Sequence, residues 1–150
     1  MPELSVEVIV RATPQQVWDV VFDWPRQGEW ILGTSVAVRH GDGRSVGSEV
    51  GAYTGRPPMG FLDTFVITEW SEPHRCEVVH TGTVVRGTGI FESRPLPAGR
   101  TRFVWTESLD LPWGRLGAMG WPIARPVFRR GVQRSLTKLA ELVEREVESA

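Results

Sequence analysis

Residues 12–30, with the sequence ATPQQVWDVVFDWPRQGEW, constrain the fold more than any other part of this chain. Thr13 can accept a hydrogen bond from the free N–H groups of a first helical turn, and Pro14 suits a position that needs no N–H. Gln16 is placed to complete a capping box, and Pro25 ends the apolar run that follows. Because a short apolar strand precedes this segment, the sequence predicts a strand, a capped helix, a sharp break and a second short helix.

The composition is typical of one globular domain covering residues 1–150. With 41% apolar residues, 23% charged residues and a net charge of −1, the chain gives no electrostatic reason to bind nucleic acid. Cys76 is the single cysteine, which fits a reducing compartment. We find no signal peptide and no long apolar run, and therefore expect a cytoplasmic protein without stable membrane insertion.

The middle of the chain alternates and turns like an antiparallel sheet, and its end is one long amphipathic helix. Strands are predicted at residues 5–10, 35–40, 48–54, 61–70, 75–81, 84–94 and 101–111, and the helix at 126–148. The apolar stripe of this helix contains Phe128, Val132, Leu136, Leu139, Val143 and Val147. Since strands and helices are segregated along the chain, the fold class is α+β.

Four segments of this sequence resemble the START-like superfamily, in particular its polyketide cyclase/dehydrase and lipid-transport branch, the SRPBCC family. They are residues 12–30, residues 65–75, residues 99–105 and the closing helix with Leu136, Leu139 and Val143. The resemblance implies a helix-grip fold, in which a curved antiparallel sheet of about seven strands wraps around the C-terminal helix and encloses an apolar cavity. The two opening helices would close one end of the sheet, with Trp30 at most near its rim.

The last predicted strand offers the clearest candidate for a site. Its odd positions, which include Phe103, Trp105 and Glu107, form the more apolar face and should point inward. An inward Glu107 would be costly to bury without a partner, so it could orient a ligand or act as an acid or base. Alternatively, Glu107 lies near the strand end and reaches solvent, or pairs with an arginine.

Three further polar residues are weaker candidates. His80 shares a face with Cys76 and is either a proton shuttle or a hydrogen-bonded structural histidine. Arg86 could face a ligand anion or point to solvent, and Tyr53 could orient a ligand or pack in the sheet. Because the three histidines have no metal-ligand spacing, we expect no metal site. The glycines of residues 114–121 do not match the dinucleotide-binding pattern GxGxxG, and we expect no other cofactor.

The strand at residues 61–70 has two mixed faces, so the sequence does not show which one is inner. If the odd face is inner, Asp63 joins Phe61 and Phe65 at the cavity, although a solvated position at the sheet edge is the simpler interpretation of Asp63. Gly87 and Gly89, both in the predicted strand at residues 84–94, indicate a bulge or a close approach of another group.

The segment 114–121, GRLGAMGW, combines three glycines with large apolar side chains. We interpret it as a flexible apolar cover over the cavity entrance, and the alternative is a plain connector that fills the core. The predicted ligand-binding set is Tyr53, Phe61, Phe65, Phe91, Phe103, Trp105, Glu107, Leu116, Met119, Trp121 and Phe128.

Three functions remain open on the sequence. The first is binding of a hydrophobic small molecule such as a lipid, sterol or polyketide, by a monomer or homodimer. The second is an enzyme of the polyketide cyclase, aromatase or dehydratase type, without metal or nucleotide cofactor, with Glu107 or His80 as base and Arg86 or Tyr53 stabilising an enolate oxygen. The third is an interaction module that docks a partner protein through the apolar segment 114–121.

Overall fold

The structure is a computed structural model that describes residues 2–56, 58–83, 85–110 and 114–150. Its strands are β1 (Glu3–Val10), β2 (Thr34–His40), β3 (Glu49–Arg56), β4 (Met59–Ser71), β5 (Arg75–Thr81), β6 (Arg86–Leu96) and β7 (Arg100–Leu109). Its α-helices are α1 (Pro14–Val21) and α2 (Arg115–Ser149), and short 3-10 helices cover Trp24–Glu29 and Pro97–Gly99. The predicted strand limits at Val84 and Leu111 lie outside the described residues.

The strands form one curved sheet in the order β1-β7-β6-β5-β4-β3-β2, and every pairing is antiparallel. Strands β2 to β7 follow one another as a meander, while β1 pairs with β7 and brings the start of the chain beside its last strand. The α+β class and the helix-grip architecture are therefore confirmed. No helix in the described part of the chain is long and apolar enough to cross a membrane.

The predicted capped helix is confirmed in detail. The Thr13 hydroxyl accepts a hydrogen bond from the Gln16 backbone N–H at 3.2 Å, and the Gln16 side chain accepts one from the Thr13 backbone N–H at 2.9 Å. The helix already ends at Val21, and Pro25 lies in the following 3-10 helix. Trp30 is completely buried, so the expectation that it lies at most near the rim is wrong.

Aromatic rings join the opening helices to the inner face of the sheet. The ring centroids of Trp18 and Phe22 are 4.3 Å apart, and those of Trp18 and Trp70 on β4 are 5.0 Å apart. Phe22 also meets Phe91 on β6 at 5.7 Å. Such tilted and edge-on pairs are favourable geometries for aromatic rings, so these contacts fix α1 against the sheet.

The two halves of α2 have different surroundings. In the C-terminal half, Leu136, Leu139 and Val143 are buried to 1% exposure or less, and they belong to the main core. The N-terminal half is exposed over most of its surface, and Leu116 and Met119 are both 74% exposed. In the predicted apolar stripe, Phe128 is 39% exposed and Val132 and Val147 are half-buried, so the stripe is fully buried only in its central part.

The predicted start of α2 was too late by eleven residues. Proline favours the first turn of a helix, which is why the sequence pattern places the start at Pro126. In the structure Pro122 and Pro126 both lie inside α2, and residues 115–121 are helical. The segment 114–121 is thus a helix start and not a flexible loop.

We expect Leu139→Ala to lower the free energy of unfolding by about 2–5 kcal/mol, because Leu139 is completely buried and the substitution leaves a cavity. The matched control Val127→Ala, at a position that is 72% exposed, should change it by about 0.5 kcal/mol or less. Urea denaturation measures both. Equal losses in the two variants would contradict the burial of this part of α2.

Candidate functional site

Three strands bring Asp63, His80 and Glu107 together on the inner face of the sheet. His80 Nδ1 lies 2.9 Å from Asp63 Oδ1, and His80 Nε2 lies 3.0 Å from Glu107 Oε2. The side chains of Asp63, His80 and Glu107 are only 16%, 6% and 9% exposed. We call this group the carboxylate–histidine triad.

The sheet register explains how the triad forms. His80 on β5 is opposite Gly87 on β6, and Glu107 on β7 is opposite Gly89 on β6. Strands β5 and β7 are thus two strand spacings apart, roughly 9–10 Å, and their side chains must meet over β6. A Cβ atom added at Gly89 would lie 2.9 Å from Glu107 Oε1, so glycine leaves the room that this carboxylate occupies. The predicted close approach at Gly89 is confirmed.

An aromatic wall adjoins the triad. The indole N–H of Trp105 donates to Glu107 Oε1 at 2.9 Å, which leaves each oxygen of Glu107 with a hydrogen-bond donor. The Trp105 ring lies 5.3 Å from the ring of Phe91 and 6.2 Å from that of Trp30. Trp30 is completely buried, and its indole N–H has no hydrogen-bond partner among the described residues.

The electrostatics of the triad favour a protonated histidine. Burial by itself lowers the pKa of His80, but the hydrogen bonds to Asp63 and Glu107 and their nearby charges outweigh it and raise the pKa to about 10. At neutral pH both ring nitrogens therefore donate, and the ring has no free lone pair with which to act as a base. The two carboxylates lie on opposite sides of the ring, bound to different nitrogens.

The predicted inner-face residues lie as follows. Phe65, Phe91, Phe103 and Glu107 are buried, Trp105 is half-buried, and Phe61 is 38% exposed near the β3–β4 hairpin. The partners of β4 show that its odd positions from Phe61 to Ile67 face inward, which the sequence left open. Asp63 is thus part of the triad, and its interpretation as a solvated edge residue is wrong.

Tyr53 and Arg86 lie away from the triad. Tyr53 is opposite Leu62 in the β3–β4 pair, on the other face of the sheet from Asp63 and Phe65. Arg86 is exposed and pairs with Asp110 at 3.3 Å. The inner face thus holds neither of the residues that the enzyme interpretation assigned to an enolate oxygen.

Among the described residues, no hydrogen bond joins the triad to the predicted residues of α2. Leu116 and Met119 are exposed, while the rings of Trp121 and Phe128 pack on each other with centroids 6.2 Å apart. Two surface depressions lie along α2, and neither is lined by a residue of the triad. Cys76 is buried, and burial raises the pKa of its thiol to about 12, which makes it a packing residue and a poor nucleophile.

Sequence reasoning gave the inner position of Asp63 as the less favoured of two interpretations, and it missed the complete burial of Trp30 beside the site. Asp63 lies on a strand with two mixed faces, and Trp30 follows a helix break where burial has no periodic signal. The glycines at positions 87 and 89 were the available signal, because alternate glycines in a strand leave one face open to side chains from both neighbouring strands.

A family model described as "Polyketide cyclase / dehydrase and lipid transport" matches residues 1–144 of the chain. No curated protein sequence matches it. Among solved structures, the protein TTHA0849 from Thermus thermophilus is 18% identical with a TM-score of 0.78, covering 95% of this chain and 97% of that chain.

The Zhui aromatase/cyclase from Streptomyces sp. R1128 is 17% identical with a TM-score of 0.79, covering 97% and 95% of the two chains. Protein NE0264 from Nitrosomonas europaea is also 17% identical, with a TM-score of 0.74 and coverage of 97% and 96%. At these identities the structural similarities establish the fold alone.

The raised pKa of His80 predicts a pH dependence of stability. Because the folded protein holds this proton more tightly than the unfolded chain, the triad's contribution is complete below pH 6.5 and is lost as the pH rises through about 10. Urea denaturation across this pH range should show a falling free energy of unfolding in the native protein. The fall should be smaller in His80→Gln. In an NMR titration, Glu107→Gln should lower the pKa of His80, and an unshifted pKa would contradict the pairing.

Gly89→Ala tests the space over β6. The added Cβ would lie 2.9 Å from Glu107 Oε1 and 3.1 Å from Val78 Cγ2, so the carboxylate must move and the protein should lose stability. The control Gly131→Ala, in an exposed part of α2 with no atom within 4 Å, should gain up to about 1 kcal/mol. In thermal denaturation we expect the melting temperature to fall in Gly89→Ala and to rise in Gly131→Ala. A higher melting temperature in Gly89→Ala would refute the close approach.

Proposed function

The chain belongs to the polyketide cyclase/dehydrase and lipid-transport family, and we propose that it binds a hydrophobic small molecule against the inner face of its sheet. The carboxylate–histidine triad would hold the polar end of this molecule. The adjoining aromatic residues would cover its apolar part.

The observation that carries this proposal is the burial of three ionisable side chains among aromatic rings. Replacing a buried ionic cluster by apolar residues is often neutral or stabilising, so folding alone gives little reason for such a group. Buried, paired titratable groups are concentrated at functional sites. The glycine at position 89, which keeps space open for Glu107, supports a site that depends on this carboxylate.

The donors and acceptors of the site favour a particular ligand chemistry. Both N–H groups of His80 are occupied, whereas Asp63 and Glu107 keep unshared lone pairs. A ligand hydroxyl, enol or amine can donate to these oxygens. The buried N–H of Trp30 is a donor for a ligand carbonyl on the same side of the site, since its ring lies beside that of Trp105. A ligand carboxylate would be repelled.

The affinity would come mainly from apolar area. Each square ångström that a ligand and the aromatic residues remove from water contributes about 25 cal/mol. Phe61, Phe65, Phe91, Phe103 and Trp105 are the aromatic members of the predicted set that face inward on the sheet. The polar end then fixes the orientation of the ligand. A ligand donor that points away from the carboxylates would be buried without a hydrogen-bond partner, which costs free energy.

Tryptophan fluorescence with a panel of a flavonoid, a sterol and a fatty acid tests the proposal. We expect quenching by the flavonoid, whose phenolic hydroxyls suit the carboxylates, with about tenfold weaker binding in Glu107→Gln for the loss of one charged hydrogen bond. Tyr53→Phe, on the other face of the sheet, is the matched control and should bind as the native protein does. If no member of the panel changes the fluorescence, and native mass spectrometry finds no co-purified ligand, the proposal fails.

A cyclase or dehydratase activity is the second candidate. It is favoured because the carboxylates of Asp63 and Glu107 lie beside the His80 cation in a region largely shielded from water. With both nitrogens of His80 occupied, the base would be a carboxylate oxygen of Glu107 or Asp63, and His80 would stabilise the charge that forms. On this hypothesis Glu107→Gln keeps ligand binding and abolishes turnover of a poly-β-ketone analogue. Unchanged turnover would exclude Glu107 as the base.

A further inference from the structure

An apolar stripe on α2 faces away from the rest of the molecule. Leu116, Met119, Ile123 and Val127 follow at intervals of three, four and four residues, which places them on one side of the helix. Their exposed fractions are 74%, 74%, 80% and 72%. Single exposed apolar residues are ordinary, but a continuous stripe of four marks an interaction surface.

The orientation of α2 is fixed by contacts on another side of the helix. Arg129 Nη1 donates to the carbonyl of Ser5 at 3.1 Å, and Gln133 Nε2 donates to the carbonyl of Glu7 at 3.3 Å. These bonds attach α2 to the edge strand β1. At 100° per residue the centre of the apolar stripe lies about 125° around the helix from Arg129 and about 85° from Gln133. It is nearly opposite the buried side chains of Leu136, Leu139 and Val143, and therefore points outward.

Basic side chains follow the apolar stripe on the same side of the helix. After Val127 come Arg130, Arg134 and Lys138, again at intervals of three, four and four residues. Arg130 and Arg134 are exposed, and they line a surface depression together with Lys138 and one carboxylate, that of Glu141. Between Asp110 and Glu141 the sequence has six basic residues and no acidic one, although the whole chain has a net charge of −1.

We propose that this outward side of α2, residues 116–138, docks on an anionic lipid surface. A helix with an apolar stripe and adjacent arginines lies in the plane of a membrane interface, with its apolar side chains among the acyl chains and its cations at the headgroups. The stripe from Leu116 to Val127 is about 16 Å long at 1.5 Å per residue, enough to lie in the interface and too short to span it.

The charges argue against a second copy of the chain on this surface. A symmetric pair of α2 helices would bring the arginines of each copy close to the apolar stripe or the arginines of the other. Glu141 is the one carboxylate among the residues that line this depression, and Arg130, Arg134 and Lys138 outnumber it. Anionic headgroups supply the missing negative charge, and acyl chains supply the apolar contact.

Co-sedimentation with phosphatidylcholine vesicles, with and without phosphatidylglycerol, tests the proposal. We expect binding to the vesicles that contain phosphatidylglycerol, and loss of binding at about 1 M salt, where the screening length is about 3 Å. Each arginine near the surface is worth about a fivefold change in binding, so Arg130→Glu with Arg134→Glu should weaken binding by about 25-fold or more. Ile123→Asp should weaken it as well.

Matched controls carry the same changes elsewhere on the surface. Arg44→Glu and Val46→Asp alter exposed residues of the β2–β3 connection and should bind vesicles as the native protein does. Circular dichroism shows whether α2 persists in each variant, and flavonoid quenching in solution, which concerns the inner face, should be unchanged by Ile123→Asp. Equal binding to both kinds of vesicle, native binding by the double arginine variant, or a dimer dissociated by Ile123→Asp would overturn the proposal.

Discussion

The burial of the C-terminal half of α2 is the packing interaction on which the rest of the structure depends. Leu136, Leu139 and Val143 share one core with α1 and the inner face of the sheet, while β1 pairs with β7 and brings the start of the chain beside its last strand. The N-terminal half of α2 has a second apolar stripe, on the side that faces away from this core. The large side chains of Leu116, Met119, Ile123 and Val127 are exposed there, and the docking proposal concerns them.

The inner face combines two requirements that oppose each other. Aromatic rings exclude water from it, and the triad places three ionisable side chains in the same dry region. The arrangement is tolerated because each charge has a partner: His80 lies between Asp63 and Glu107, and Trp105 donates to Glu107. The low polarity that makes these charges costly also strengthens their interaction with a ligand's polar end, which is why the proposed function is assigned here.

Local signals predicted the parts of the fold that depend on few residues. The capping box at Thr13 and Gln16 and the inward face of β7 are examples, because a cap and a strict alternation are decided within a few positions. The start of α2 was predicted wrongly, since two prolines inside a helix have the same pattern as a helix start. Asp63 was misplaced because both faces of β4 contain polar and apolar residues.

The sequence by itself determined the α+β class, the order of the elements, the family and the inward position of Glu107, since these follow from periodicity, caps and motifs along the chain. Only the tertiary structure decided that Glu107 meets His80 across β6, that Asp63 completes the group and that Tyr53 and Arg86 lie elsewhere. It also decided which side of α2 remains uncovered. The physical reason is that these contacts depend on the register between strands and on the position of α2 against the sheet. Both are set by packing among residues far apart in the chain.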